Sequence, residues 1–186
     1  MYIDVEAAIS LEQLFGSFLS RIGFIFEKAK IFHDNDMMEI RDFKSDDFDG
    51  CANLFIQVFS QAPWNDHWSL ESASVYLRDI VMTPGFYGIV AQNEFGIIGM
   101  CWGHIKRWGM GDEFYVDEMC VVSERQRQGV GQRIMLYAKQ KLGEMGVRHL
   151  TLLTARNTLA ESFYQKQGFV AVNRLVFMKY AIDKTQ

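Results

Sequence analysis

The sequence predicts an α/β fold, a single domain with a helical appendage, on three observations. Short apolar strands alternate with helical segments from residue 37 to the end. A tight turn at Asn93-Glu94 joins two of those strands as a hairpin. Residues 1–36 carry an apolar stripe of helical period that stands apart from this pattern. The 186-residue length fits the division, since it is enough for one real core and tight for two. An apolar fraction of 49% with 23% charged residues excludes a disordered chain.

The appendage comes first. Leu11, Phe15, Phe18, Ile22, Ile25, Ala29 and Phe32 recur at spacings of four and three, close to a heptad seam, until His33-Asp34-Asn35-Asp36 breaks the pattern. Such an amphipathic helix packs on its own domain, joins two copies as a homodimer, or lies on a membrane surface; its polar face is not strongly basic. Glu39–Phe43 then reads as a strand. Ser45-Asp46-Asp47 supplies a cap and an acidic first turn for a helix to about Ser60. Ser69 caps a second helix, which Thr83-Pro84-Gly85 stops after Met82. Phe86–Ala91 and Ile97–Lys106 form the hairpin, and Glu113–Val122 follows the Gly109–Asp112 turn as a longer strand. A Gly-bearing loop leads into a helix from about Gly131 to Leu142. His149–Thr154 is a strand and Leu159–Gln167 a helix with Gly168 as its C-cap. Val170–Arg174 and Leu175–Ala181 close the pattern as two strands.

Composition excludes several functions. The formal net charge is −4, whereas a nonspecific nucleic-acid binder needs a basic excess. Most of that acidity belongs to the appendage: residues 1–36 hold six acidic and three basic side chains, the remainder 17 and 16. Cys51, Cys101 and Cys120 are an odd, widely spaced set that suggests neither disulfides nor zinc, and His33, His67 and His149 lack metal-ligand spacing. His104, in mid-strand, reads as structural. Asp4 and Glu6 stand where a secretory leader would be basic, and no run of about 18 apolar residues offers a membrane span. The expectation is a soluble, cytoplasmic protein.

The most informative segment runs from Val121 to Gly131, between an apolar strand and a helix. Gly129 and Gly131 allow close backbone approach and positive φ. Unpaired N–H groups at the helix start favour an anion, and Arg125, Arg127 and Arg133 add positive charge. The segment therefore reads as a phosphate or pyrophosphate cradle. It is neither a P-loop nor a dinucleotide fingerprint, because Gly-Lys-Ser/Thr is missing and Ile134 takes the third glycine position.

Gln126, Gly129 and Gly131 meet the pattern Gln/Arg-x-x-Gly-x-Gly/Ala, and Asn157, Ala160, Phe163, Tyr164, Gly168 and Phe169 meet a second one downstream. With these two motifs in order, roughly residues 37–182 resemble the GNAT superfamily of acyl-CoA-dependent N-acetyltransferases, and residues 37–186 are read as that domain. Ser123 departs from the family, where proline is frequent. The resemblance implies a mixed, mostly antiparallel central sheet flanked by helices. It implies acetyl-CoA as acyl donor, its pantetheine arm paired with the main chain of Cys120, Val121 and Val122 and contacted by Asn157. The pyrophosphate would rest on amides from Gln126 through Arg127, Gln128, Gly129, Val130 and Gly131 to Gln132. Tyr164 would protonate the departing thiolate. The amine acceptor would attack directly, which leaves Cys120 a strand residue.

Direct attack needs a base, because an ammonium is not nucleophilic. Asp117 and Glu118 are adjacent in a strand and so point to opposite faces unless a bulge intervenes. Glu118 shares its face with Cys120 and is the preferred base; Asp117 is the other choice, or an acceptor contact. Trp64 and Asp66, between the first two helices, suit a cationic acceptor by cation–π and charge pairing. Trp64, Trp68 and their neighbours fit a helix-joining core equally well. The predicted activity is acetyl transfer to a small-molecule or protein amine. The alternative is a non-catalytic acyl-CoA-binding module, regulatory or oligomeric.

Overall fold

A computed structural model describes residues 38–182. The chain divides into two units, Met1–Thr151 and Leu152–Gln186. The helix expected over residues 1–36 lies outside the described residues.

The first unit holds a five-stranded sheet in the order β1 (Glu39–Asp42), β2 (Phe86–Asn93), β3 (Gly96–Lys106), β4 (Glu113–Val121) and β5 (His149–Thr151). Neighbours are antiparallel except β4 and β5, which are parallel. Parallel pairing needs a crossover, and helix α3 (Val130–Glu144) supplies it. Helices α1 (Phe48–Phe59) and α2 (Leu70–Val81) join β1 to β2. The mixed, mostly antiparallel sheet with flanking helices is the predicted fold.

Local chemistry explains the boundaries. Asp47 accepts from the Lys44 N–H at 2.8 Å and takes both Arg41 guanidinium nitrogens at 2.6 and 2.7 Å, so β1 is tied to the turn that opens α1. That turn is a short 3-10 segment, Ser45–Asp47, where the acidic run predicted a helix start. Ser69 caps α2 by accepting from the Ser72 N–H at 3.1 Å. At the hairpin, Asn93 pairs with Gly96, and its side chain accepts from the Phe95 N–H at 3.0 Å.

Strand alternation then sorts side chains onto two layers. On one face Val90, Met100, Trp102 and Cys120 pack with Ala52, Leu54 and Phe55 of α1 and Ala73 and Leu77 of α2. Their strand neighbours Ile89, Cys101, Phe114 and Val116 are buried with the opposite parity. α3 packs on β1–β4 and buries Val130, Ile134, Met135, Ala138 and Leu142.

The ladder between β3 and β4 is interrupted at one point. Trp102 pairs with Glu118, but Gly103 pairs with Val116, so Asp117 is the extra residue of a β-bulge in β4. Gly103 stands opposite it. A Cβ there would lie 2.1 Å from the Tyr115 carbonyl oxygen and 2.6 Å from the Phe114 ring. Gly103→Ala is therefore expected to destabilise the fold by about 1–3 kcal/mol, the usual range for overpacking. Thermal denaturation would read this as a lowered Tm; an unchanged Tm would mean that the bulge yields freely.

The second unit contains α4 (Leu159–Lys166). Thr158 caps it by accepting from the Glu161 N–H at 3.2 Å. Gly168, at φ 88°, ends it, with the Phe169 N–H donating to the Tyr164 carbonyl at 3.0 Å. The two closing strands expected at Val170–Arg174 and Leu175–Ala181 are not present. Residues 169–182 form no ladder, and the Leu175 N–H closes a turn on Val172 at 3.1 Å. Apolar residues continue through Val176, Phe177, Met178 and Ile182, but all four are exposed. Apolar β-formers are only half of a strand; the other half is a partner that takes up the backbone hydrogen bonds.

Candidate active site

The bulge decides where the two carboxylates stand. A regular strand, the expectation from the sequence, would send Asp117 and Glu118 to opposite faces. Asp117 instead reaches His104, whose Nδ1 is 2.7 Å from its Oδ2, and His104 has the parity of Met100 and Trp102. Glu118 lies on that same face, where its Oε1 accepts from the Tyr76 hydroxyl of α2 at 2.5 Å. Glu118 does share its face with Cys120, as predicted; the correction is that the extra residue brings Asp117 to it as well.

Electrostatics follow from this crowding. Burial is the main reason that the Glu118 carboxyl is pushed up, to about 7. The Tyr76 hydrogen bond opposes the rise, while the charges of Asp117 and Asp66 add to it. A carboxyl held near neutrality can take and release protons under ordinary conditions. Tyr76 is in turn fixed by aromatic neighbours, its ring 5.3 Å from Trp68 and 5.6 Å from Phe55. Trp68 thus belongs to the core that joins α1 and α2. Trp64 is 46% exposed and rests on Phe59 at 5.7 Å between ring centres. Asp66 is exposed, and its N–H donates to the Phe59 carbonyl at 2.9 Å.

The end of β4 offers a second feature. β5 pairs only with Glu113, Phe114 and Tyr115. Beyond Tyr115, β4 has ladder partners on the β3 side alone among the described residues, as far as Val121 opposite Gly99. The chain then passes Val122, whose N–H donates to Ile98 at 2.9 Å, and a 3-10 turn at Ser123–Arg125. Arg127 and Gly129 are left-handed, at φ 59° and 88°. Gly129 is the residue before α3, and a Cβ built on it meets nothing within 4 Å. The loop braces itself: Gln126 Nε2 donates to the Val121 carbonyl at 3.0 Å and Gln128 Nε2 to that of Glu124 at 2.6 Å. The Gln126 N–H is taken by Ser123 at 3.2 Å. The N–H groups of Val130, Gly131 and Gln132 precede the first helical bond, which runs from the Arg133 N–H to the Gly129 carbonyl. An open strand edge thus leads into a glycine cradle at a helix start, a fit for an extended amide-bearing chain that ends in a pyrophosphate.

The three thiols are inert by comparison. Cys51, Cys101 and Cys120 are buried, and burial pushes the thiols of Cys51 and Cys101 up to about 12 and that of Cys120 well above its ordinary value. No group of three or more metal-ligating side chains occurs among the described residues. Asn157 and Tyr164 belong to the second unit. Asn157 is left-handed at φ 61°, and its N–H donates to Glu161 Oε2 at 2.6 Å. Tyr164 is half-buried, its ring 5.2 Å from Phe163 and 5.4 Å from Phe169. Sequence reasoning missed Tyr76, for which helical spacing gives no sign beyond an aromatic on an inward face. His104, read as structural, pairs with Asp117, which fits that reading.

Comparison with known proteins bears on the family and the fold. Residues 84–171 match the family model described as an acetyltransferase (GNAT) domain. The chain is 35% identical over 68 residues, 34% of its length, to GCN5-related N-acetyltransferase 7, chloroplastic, of Arabidopsis thaliana, and spans a quarter of that relative. Its fold is similar to an aminoglycoside acetyltransferase from an uncultured soil metagenomic sample, solved with sisomicin: 19% identity, TM-score 0.64, 80% of this chain and 99% of that one. It is also similar to a possible acetyltransferase of Clostridium difficile 630, with 12% identity, TM-score 0.67, and 79% and 99% coverage.

Proposed function

We propose that this chain, whose residues 84–171 match the acetyltransferase (GNAT) domain model, is an acetyltransferase of that superfamily and moves the acetyl group of acetyl-CoA to a primary amine by direct attack. The observation that carries the reading is Glu118, a carboxyl lifted to about 7 on the strand whose open edge leads to the glycine cradle. Acetyl-CoA supplies the acyl group and the thiolate leaving group. The main chain of Cys120, Val121 and Val122 would pair with its pantetheine arm, with Asn157 as a further contact. The amides around Arg127–Gln132 would take the pyrophosphate. Glu118 removes a proton from the acceptor ammonium, and the neutral amine attacks the thioester. As the C–N bond forms and the C–S bond breaks, Tyr164 would give its proton to the departing thiolate and regain one from the attacking nitrogen, which is left as the neutral amide.

The buried, neutral thiol of Cys120 supports direct attack over an acyl-enzyme. Asp66 and Asp117 near the base, with Trp64 exposed beside Asp66 in sequence, favour a cationic acceptor. Residues 37–186 are read as the acetyltransferase domain, since the family match crosses the division at Thr151. Residues 1–36 are read as an extension that can join two copies. No described helix is long and apolar enough to cross a membrane, and a cytoplasmic location suits the reading.

A thiol-release assay with acetyl-CoA across a panel of polyamines, aminoglycosides and peptide amines tests the proposal, alongside direct measurement of CoA binding. Turnover with at least one cationic amine is expected. Binding of CoA with no turnover on any amine would instead favour a non-catalytic acyl-CoA-binding module.

A further inference from the structure

We propose that Tyr76 is a positioning residue for Glu118: its hydroxyl, held across the α2–β4 interface, fixes one carboxylate oxygen and leaves the other for the acceptor's proton. This rests on the reading of Glu118 as base. The geometry has three parts. The Tyr76 hydroxyl donates to Oε1 at 2.5 Å, while Oε2 accepts no hydrogen bond among the described residues. The Tyr76 ring is clamped by Trp68 and Phe55, so the hydroxyl has little freedom to follow a moving carboxylate. Glu118 follows the bulged residue directly, where ladder pairing is interrupted and an outside tether has most to do.

The charged surroundings set the sign of the test. Glu118 feels Asp117 of its own strand, itself paired with His104 of β3, and Asp66 of the loop before α2. Its charge in turn raises the Cys120 thiol. Burial and the two aspartates disfavour the ionised form, and the Tyr76 hydroxyl is the group that favours it. Loss of that hydroxyl must therefore move the Glu118 titration to higher pH.

Tyr76→Phe keeps the ring and removes the donor. The expected result is an upward shift of the ascending limb of kcat/KM by about one pH unit, the scale of a hydrogen bond to a charged group. The carboxyl ¹³C resonance of Glu118, followed by NMR with no substrate present, should shift its midpoint by the same amount. If neither midpoint moves, Tyr76 merely packs and the proposal is overturned. If the NMR midpoint moves but the rate profile does not follow, Tyr76 controls the carboxylate but Glu118 is not the base, so the general-base reading fails instead. Should Tyr76→Phe fold poorly, 3,5-difluorotyrosine at position 76, a stronger donor, should move both midpoints downward; no downward movement overturns the proposal equally.

Discussion

Glu118→Gln is expected to lower kcat/KM by roughly 10²- to 10⁴-fold, the contribution of a positioned general base, and to abolish its rise with pH. The wild-type profile should climb tenfold per unit below about 7, where Glu118 ionises, and level off above it. Glutamine removes the proton acceptor but keeps an oxygen for the Tyr76 hydroxyl, so the local structure survives. Stability should move the other way from activity. A carboxyl whose titration is raised in the folded state binds its proton more tightly there than in the unfolded chain. It therefore weakens the fold as pH rises from the unfolded value through about 7, and the penalty persists above that. Glutamine carries no such penalty, so the variant should melt no lower than wild type at pH 8. Loss of activity with a maintained Tm identifies a functional carboxylate. Retained activity with an unchanged profile removes Glu118 from the mechanism.

That prediction depends on a feature no single segment encodes. Ser69, the Asn93-Glu94 turn, Gly129 and Gly168 declare themselves locally: each answers an unpaired donor or a left-handed backbone with a suitable residue type. The element order as far as α4 and the glycine turn before α3 are legible for that reason. The bulge at Asp117 is not, because a bulge is a mismatch in residue count between two strands and exists only once β3 is laid beside β4. Gly103 is its trace in the sequence, opposite the extra residue, but a lone strand glycine has several explanations. Tyr76 illustrates the same limit. Its hydroxyl meets Glu118 across 42 positions of sequence, and α2 must first pack on the sheet before the pair exists. The C-terminal segment misleads in the opposite direction, its apolar composition predicting strands where the chain forms no ladder.

Tyr164→Phe is expected to reduce kcat by roughly 10- to 1000-fold while CoA affinity stays within about twofold, as befits a general acid that acts on the leaving group and not on binding. Phenylalanine leaves the ends of α4 as they are. Thr158 caps α4, Gly168 ends it, and the Phe169 N–H closes on the Tyr164 main-chain carbonyl, none of which involves the phenol. The ring contacts with Phe163 and Phe169 are edge-on and survive in phenylalanine. Packing at position 164 is thus preserved, and only the hydroxyl is removed. Leucine provides the contrast: if Tyr164 serves the helix alone, Tyr164→Leu lowers Tm and activity together while Tyr164→Phe costs neither. If it is the acid, phenylalanine already removes the turnover at full stability, and leucine adds destabilisation without a comparable further loss of rate. Single-turnover thiol release by both variants, beside their melting curves, separates the two. A phenylalanine variant that turns over within about twofold of wild type would exclude Tyr164 as the proton donor.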